Sequence, residues 1–307
     1  MLKNLLFVAV TLTALASSFA APATEKPLTT FFVASDTHRD YDDLARALQD
    51  MSALDPKYQA LVINGDLTDS GSEQEYAATI ATINKNPHPD RIFYNIGNHE
   101  LCSDGTEEEK FARYKRLTKE PKIYYERNVD GFPFLFLGTE TFKNKCYGVW
   151  FSPEQLAWLK ERLRSHGDTG KPIFVYSHFP IHGTTSGSQG YETTYAQGKE
   201  LLDLLGQYPQ VILFTGHTHY KLYLDDWQAR KVVEGGNPKG FQLINTGFIQ
   251  TEWARDAKGN EYVPRNGWLE NQSLYVQVYR DRVVVTGRDH FQKKWIQKLE
   301  IPYRVQP

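Results

Sequence analysis

The sequence has little cysteine and almost no excess charge of either sign. Only two of its 307 residues are cysteines, Cys102 and Cys146, which excludes a small scaffold held together by many disulfides. The two could pair in an oxidising compartment or remain separate thiols, and the sequence leaves both possibilities open. The formal net charge is only −2, which is not typical of a general nucleic-acid or membrane-surface binder.

Internal repeats, heptad runs and long low-complexity tracts are also lacking, and beyond the N-terminus no apolar run is long enough to cross a membrane. At the N-terminus, Lys3 precedes an apolar run over residues 5–16, and Ser18 and Ala20 place small residues before a plausible cleavage point. This predicts a signal peptide over residues 1–20, cleaved after Ala20, and a secreted or periplasmic protein without a stable membrane anchor. An uncleaved anchor is the alternative, but the apolar run is short for a span.

What the sequence does contain is an alternation of strands and helices. Apolar, β-branched runs at residues 30–34, 60–63 and 91–96 read as buried strands, each followed by a helical pattern. Residues 172–176 and 211–214 are two further strands of the same kind. Such alternation is typical of right-handed βαβ units and a largely parallel sheet.

Sequence signals also mark the helix that follows the second strand. Ser72 and Glu75 predict a capping box, in which each side chain accepts a hydrogen bond from the backbone of the other residue. Tyr76, Ile80 and Ile83 recur at helical spacing and predict the buried face of this helix.

The pattern changes in the last quarter of the chain, where strand-like runs follow one another without helices. Residues 241–245, 274–279 and 283–287 predict antiparallel strands, and we expect them to form a second sheet stacked on the first. Residues 251–272 show no clear period and predict a long surface loop.

Polar side chains that suit metal ions follow each of the five strands. A single histidine is more often a structural, hydrogen-bonded residue than a ligand, but burying many imidazoles and carboxylates at one edge is costly unless cations satisfy them. Together these donors suit Zn, Fe, Mn or Co better than Ca or Mg. The residues are Asp36, His38, Asp66, Asp69, Asn98, His99, His178, His217 and His219.

In this order the polar blocks resemble the calcineurin-like metallophosphoesterase superfamily. Its pattern is Asp-x-His, Gly-Asp-x-x-Asp, Gly-Asn-His-Asp/Glu, a lone His and Gly-His-x-His. The matching blocks in this chain are residues 36–38, residues 65–69, residues 97–100, His178 and residues 216–219.

The resemblance implies an α/β fold, a four-layer αββα sandwich in which a mixed, mainly parallel sheet stacks on a second sheet. It covers about residues 29–250 of a single domain expected over residues 21–307, with antiparallel C-terminal strands over residues 241–290.

The resemblance also implies a site that holds two divalent transition-metal ions, Mn, Fe, Zn or Co. Asp66 would bridge the two metals, a metal-bound hydroxide would attack phosphorus in line, and His99 would protonate the leaving alkoxide. Asp69 occupies the position whose carboxylate would orient His99. One metal would be held by Asp36, His38, Asp66 and His219, and the other by Asp66, Asn98, His178 and His217.

Departures from the branches of the superfamily narrow the prediction to a phosphodiesterase or phosphatase acting on a small phosphate ester. Ser70 stands where phosphoprotein phosphatases carry an Arg, and Asp69 stands where purple acid phosphatases need a Tyr ligand. The chain most resembles the bacterial phosphodiesterase branch, near the cyclic-nucleotide and glycerophosphodiester enzymes. Arg39 and His182 are either substrate contacts or ordinary surface residues.

Two other functions stay open at this point. A non-catalytic interaction module of the same fold would be expected to have lost ligands or His99, and none is missing. A nuclease of the same fold would want a basic groove, whereas this chain is slightly acidic.

Overall fold

The computed structural model describes residues 25–140, 149–191 and 197–305. The strands in these ranges are β1 (Thr29–Ala34), β2 (Ala60–Asn64), β3 (Ile92–Asn95), β4 (Tyr125–Val129), β5 (Phe132–Leu137), β6 (Ile173–Ser177), β7 (Val211–Thr215), β8 (Gln228–Lys231), β9 (Phe241–Asn245), β10 (Ala254–Arg255), β11 (Glu261–Tyr262), β12 (Gln272–Val278), β13 (Arg282–Asp289) and β14 (Lys294–Pro302). The α-helices are α1 (Tyr41–Leu54), α2 (Glu73–Lys85), α3 (Glu107–Thr118), α4 (Pro153–Gly167) and α5 (Gly198–Leu205).

Two six-stranded mixed sheets are formed by these strands. The first has the order β14-β13-β12-β1-β2-β3, with β1, β2 and β3 parallel and the other three antiparallel. The second has the order β4-β5-β6-β7-β9-β8, in which β5, β6, β7 and β9 are parallel. The first sheet therefore combines both ends of the chain, and the second is built from its middle.

This topology corrects two sequence-based predictions. The strands predicted at residues 274–279 and 283–287 do not form a second sheet. As β12 and β13 they extend the first sheet, with β12 antiparallel to β1 and β13 antiparallel to β12. The strand at residues 241–245 is parallel to β7 on one side and antiparallel to β8 on the other, and it does not pair with β12 or β13. An alternating pattern shows that a segment is a strand with two different faces, but it does not show which strand edge it pairs with.

The apolar side chains divide into layers that confirm the four-layer αββα sandwich. Between the sheets, Phe31 of β1 lies edge-on to Phe134 and Phe174 of the second sheet, with ring centroids 4.8 and 5.0 Å away. Leu44 and Leu48 of α1 pack on the outer face of the first sheet. The outer face of the second sheet is covered in the same way by α4 and α5.

The start of α2 shows one of the predicted contacts and corrects the other. Ser72 caps the helix by accepting from the Glu75 backbone N–H at 3.3 Å. The Glu75 carboxylate does not return to Ser72; it accepts from the backbone N–H groups of Asp69 and Ser70, at 3.2 and 2.7 Å. The loop that leads from β2 into α2 needs these acceptors, so the capping box prediction is wrong in its second half. Ile80 is only partly buried.

Residues 251–272 are more ordered in the structure than the predicted surface loop. They contain the β10–β11 hairpin, and Glu252 and Asn271 are buried. No helix in the described ranges is long and apolar enough to cross a membrane. The predicted signal peptide lies outside the described residues. Cys102 is disulfide-bonded, and Cys146 lies outside the described residues.

Asn64, the last residue of β2, connects the two sheets at the edge where the polar blocks lie. Its side-chain NH₂ donates to the carbonyl oxygens of Ser177 and Phe214, at 3.1 and 3.2 Å, and its Oδ1 accepts from Asn95 at 2.9 Å. Because all of these residues are buried, each hydrogen bond satisfies a group that water cannot reach. The spacing of the sheets at this edge is therefore fixed by a specific polar contact.

A second buried polar cluster ties α1 to the C-terminal end of β13 in the first sheet. Arg288 of β13 donates two hydrogen bonds to the Asp50 carboxylate, at 2.7 and 2.9 Å, and His290 Nδ1 lies 2.9 Å from the same group. Burial alone would raise the pKa of Asp50, but the hydrogen bonds from Arg288 and His290 outweigh it and hold that pKa well below its ordinary value. Asp50 is therefore the negative partner of a buried ion pair.

We expect Asp50→Asn to lower the free energy of unfolding by about 3–5 kcal/mol, because it leaves the Arg288 guanidinium buried without a counter-charge. Urea unfolding followed by circular dichroism measures this change. The matched control is Asp203→Asn, which removes an exposed carboxylate paired with Lys199 and should change stability by less than about 0.5 kcal/mol. Equal effects of the two substitutions would contradict the assignment.

The same ion pair predicts how this difference depends on pH. The unfolded chain takes up a proton on Asp50 near its ordinary pKa of about 3.9, whereas the folded protein keeps Asp50 ionised below that value. The stabilisation is therefore fully present above about pH 5 and is lost as the pH falls below about 4. The wild-type and Asp50→Asn unfolding free energies should converge in that acid range, and a constant difference down to about pH 3 would contradict the prediction.

Candidate metal centre

The polar blocks of both sheets converge on a single edge of the sandwich. The blocks after β1, β2 and β3 come from the first sheet, and those after β6 and β7 come from the second. Among the described residues, this convergence gives three clusters with mutually close ligand atoms. The clusters are Asp36, His38 and His219; Asp66, His178 and His217; and His38, Asp69 and His99.

The first cluster is closed by short distances between residues that are far apart in sequence. His219 Nε2 lies 3.1 Å from Asp36 Oδ1 and 3.1 Å from His38 Nε2. The other ring nitrogen of His219, Nδ1, donates to the Thr251 carbonyl oxygen at 2.8 Å. A hydrogen bond of this kind fixes the tautomer and leaves Nε2 as the free donor atom for a metal ion.

The second cluster has the same construction around Asp66. His178 Nε2 lies 3.0 Å from Asp66 Oδ2, and His178 Nδ1 donates to the Asn64 carbonyl oxygen at 2.8 Å. Asp66 Oδ2 is also 3.9 Å from His38 Nε2 of the first cluster. The Asp66 carboxylate therefore stands between the two clusters, where a residue shared by two ions would have to be.

Five of these residues have a backbone that L-amino acids rarely adopt. Asp36, His38, Asp66, His217 and His219 have φ angles of 57°, 44°, 52°, 70° and 54°. The left-handed region is unfavourable for residues with a Cβ, and such strain persists where the surrounding structure imposes it, commonly at functional sites. The turns after β1, β2 and β7 thus aim side chains at a common point at a cost in backbone energy.

Two glycines make room for this convergence. A Cβ at Gly65 would lie 2.4 Å from His178 Nδ1, and one at Gly97 would lie 2.1 Å from Asp66 Oδ1. Both positions therefore exclude any larger residue while the neighbouring ligand keeps its place.

Glu100 is the residue whose role the sequence did not reveal. Its buried carboxylate accepts from the backbone N–H groups of Asp66 and Gly97 at 2.9 and 2.7 Å, and from the N–H and the hydroxyl of Thr68, each at 3.0 Å. Burial, reinforced by the Asp66 charge, raises the pKa of Glu100 to about 7. Glu100 therefore holds the loops after β2 and β3 together. The one feature of the sequence that could have pointed to this role is that Glu100 directly follows His99.

His99 begins a 3-10 turn and points into the edge between the clusters. Its Nδ1 donates to the Asp69 backbone carbonyl oxygen at 2.6 Å, whereas the Asp69 carboxylate is 4.0 Å away. The predicted carboxylate contact is thus corrected, because the main chain of Asp69 orients the ring and its side chain lies 3.1 Å from Arg39. His99 is about one third exposed, so it can reach a bound molecule.

The charges of the edge are unbalanced without cations. Burial lowers the pKa of His38 and of His217 to about 3, which keeps both rings neutral. Burial would also lower the pKa of His178, but the charges of Asp66 and Asp36 outweigh it and raise that pKa to about 10. A proton on His178 is therefore the charge that offsets two buried carboxylates, a task that divalent cations perform when bound.

Buried polar atoms without hydrogen-bond partners give an independent test of whether the residues fit metal ions. Asn98 Oδ1 and His217 Nε2 are buried and have no hydrogen-bond partner. Both are assigned to the second metal by the resemblance. Buried polar atoms without partners are costly, and a coordinated cation would satisfy both. The roles of the individual ligands stay predictions, but the donor set fits two transition-metal ions.

Arg39 and His182, the two predicted substrate contacts, differ in what surrounds them. Arg39 is largely exposed and lies near both Asp69 and Glu75, at 3.1 and 3.9 Å. His182 is exposed in the loop after β6, and no hydrogen bond joins it to the clusters among the described residues. Arg39 therefore lies at the edge of the site, and the substrate contact by His182 stays a prediction.

Comparison with known proteins gives the family. The sequence model of the calcineurin-like phosphoesterases matches residues 29–221, more than half of the chain. The model of a domain of unknown function, DUF4073, matches residues 222–305. The predicted single domain over residues 21–307 stays a prediction.

Curated relatives and solved structures agree with this match. The chain is 30% identical over 234 residues, 72% of its length and 77% of the relative, to a protein of Arcobacter nitrofigilis named probable glycerophosphodiester phosphodiesterase GpdQ. It is 28% identical to the manganese-dependent ADP-ribose/CDP-alcohol diphosphatase of Xenopus tropicalis, over 64% of this chain and 54% of that one.

Two solved structures share the fold. A dimetal phosphatase from Danio rerio superposes with a TM-score of 0.63 at 15% identity, covering 91% of this chain and all of that one. A purple acid phosphatase from yellow lupin gives a TM-score of 0.67 at 13% identity, covering 89% of this chain and 53% of that one. Together with the metal-ligand clusters at the edge where the two sheets meet, these findings show that the chain belongs to the calcineurin-like phosphoesterase family and is a metal-dependent phosphoester hydrolase.

Proposed function

We propose that this protein hydrolyses phosphodiesters of small alcohols outside the cytoplasm, with two divalent ions of Mn, Fe, Zn or Co held at the candidate metal centre. The observation that carries the proposal is the position of Asp66 between two buried ligand clusters, with Oδ2 at 3.0 Å from His178 and 3.9 Å from His38. The names of the relatives support the substrate class, since one is called a glycerophosphodiester phosphodiesterase and another is called manganese-dependent.

The chain supplies both a cradle for the ester and a proton donor. Asp36, His38, Asp66 and His219 would hold one ion, and Asp66, Asn98, His178 and His217 the other. When bound, the ions supply Lewis acidity and positive charge for an anionic phosphoryl group. The His178 and His219 rings are already fixed by hydrogen bonds to the main chain, so little reorganisation is needed on binding.

His99 is the group that moves a proton. Its Nδ1 is committed to the Asp69 carbonyl oxygen, which leaves Nε2 to protonate the alkoxide that departs from phosphorus. Burial would lower the pKa of His99, but the Asp66 charge and the hydrogen bond to Asp69 raise it above its ordinary value. In the metal-free protein, the ring therefore favours its protonated state.

We expect metal-stripped mature protein to hydrolyse bis-p-nitrophenyl phosphate only after Mn, Zn, Fe or Co is added back, and faster than it hydrolyses p-nitrophenyl phosphate. With glycerophosphoglycerol, whose alkoxide leaving group needs a proton, His99→Ala should lower kcat by about 10²–10⁴-fold. With bis-p-nitrophenyl phosphate the loss should be smaller, because p-nitrophenolate leaves without a proton. Asp66→Asn should lose metal ions as well as activity, since it removes the charge shared by both clusters.

Matched controls are His88→Ala, at an exposed residue, and Asp203→Asn, at a partly exposed one. Neither residue belongs to the ligand clusters, so both variants should leave turnover unchanged. Metal content by plasma emission spectrometry gives a readout besides activity. A protein that binds no metal would refute the proposal. Faster hydrolysis of the monoester, or of ADP-ribose, would refute the phosphodiester assignment while keeping the hydrolase.

The location outside the cytoplasm is supported by the sequence of residues 1–20 alone. We expect the mature protein to begin at Ala21, which intact-mass measurement or N-terminal sequencing of protein from a secreting host can check. Deleting residues 2–20 should retain the protein in the cytoplasm. A mature chain that still begins near Met1 and stays membrane-attached would favour the uncleaved anchor instead.

A further inference from the structure

An open cavity of about 550 Å³ lies directly beside the metal centre. Two of its lining residues, Arg39 and Asp40, follow the ligand His38 in sequence. A third, Gln250, donates its backbone N–H to the carbonyl oxygen of Asp36 at 3.0 Å. The complete lining is Arg39, Asp40, Tyr41, Asp42, Gln250 and Trp268. A substituent of an ester bound at the metals can therefore extend into this cavity.

One wall of the cavity is an aromatic ring held by the scaffold of the metal centre. Trp268 is 55% exposed, which is unusual for so large an apolar side chain. Its neighbour Gly267 accepts hydrogen bonds from the Glu252 N–H and the Thr251 hydroxyl, at 2.9 and 3.1 Å. Thr251 in turn accepts from the ligand His219, so the main chain that carries the indole is tied to the metal-binding edge.

The charge that faces this ring is negative. Arg39 brings the one positive charge of the lining, but its guanidinium lies 3.1 Å from Asp69 and 3.9 Å from Glu75, and these two carboxylates offset it. Asp40 and Asp42 contribute two carboxylates at the start of α1. The nearby Arg46 is paired with Asp43. The cavity thus combines an exposed indole with an excess of carboxylates.

We infer that this cavity binds the alcohol part of the substrate and selects an alcohol that carries a quaternary ammonium group, as in a choline ester. An ammonium held over an indole gains cation–π attraction, which is strongest for tryptophan, and Asp40 and Asp42 add charge attraction. A nucleoside diphosphate would also find a stacking surface in Trp268, but its second phosphate would meet these two carboxylates. The inference rests on the proposed phosphodiesterase function and names the substrate class within it.

Steady-state kinetics of the metal-loaded protein with two esters tests the inference. Glycerophosphocholine carries a cationic alcohol on its phosphate, and glycerophosphoglycerol carries an uncharged alcohol in the same position. We expect the wild-type kcat/KM to favour glycerophosphocholine, and Trp268→Ala to reduce that preference about two- to fivefold, as expected for loss of an exposed cation–π contact. Asp42→Asn should reduce it in the same direction.

The matched control is Trp295→Ala, which removes a half-exposed indole from β14 and should keep the wild-type ratio of kcat/KM values. Because the ratio compares two substrates of one preparation, a loss of folded protein does not alter it. Tetramethylammonium chloride should inhibit the wild type more than sodium chloride at equal ionic strength, and should lose this effect in Trp268→Ala.

Two results would overturn the inference, and only the second would also overturn the proposed phosphodiesterase function. If bis-p-nitrophenyl phosphate is hydrolysed but glycerophosphocholine has no advantage, or Trp268→Ala keeps the wild-type ratio, the cation subsite is wrong and the phosphodiesterase stands. If no ester is hydrolysed with any of the four metals, the proposed function fails and the subsite falls with it.

Discussion

The placement of the Asp66 carboxylate between two ligand clusters is the constraint on which the rest of the site depends. Asp66 has a left-handed backbone, and its N–H donates to Glu100 while its Oδ1 accepts from the His99 N–H at 2.9 Å. Gly97 must lack a side chain to leave it room. The loops after β2 and β3 are therefore built around one carboxylate, and the second sheet contributes His178 across the gap. Such preorganisation costs backbone strain and buried charge, which bound cations would offset.

Local order was predictable from the sequence, and so was the convergence of the polar blocks on one edge of the sandwich. The blocks at residues 36–38, 65–69 and 97–100 follow strands that are buried on both faces and bounded by turn residues, and such short apolar runs are a strong local signal. Pairing was not predictable in the same way. The alternating pattern of β12 and β13 fits any half-buried antiparallel strand, so it could not show that β1 had a free edge in the first sheet.

The sequence also did not predict the roles of buried polar residues that bind backbone groups. Asn64 and Glu100 bind main-chain groups of distant segments, and no spacing rule in one sequence tells which backbone groups will need a partner. The same holds for Glu75, which satisfies the turn after Asp69 rather than completing a capping box. Each of these contacts gives a buried or half-buried backbone N–H or carbonyl group a hydrogen-bond partner.

The division of the chain between two family models has a structural meaning. All nine candidate site residues lie within residues 29–221, the part that matches the calcineurin-like phosphoesterases. Gln250 and Trp268 of the neighbouring cavity lie within residues 222–305, which match a different model. Residues 250–252 join the two parts. Through backbone and hydroxyl contacts they bind Asp36 and His219 on one side and Gly267, the residue before Trp268, on the other. The reaction and the choice of alcohol can therefore reside in separate stretches of sequence while one short segment keeps them in register.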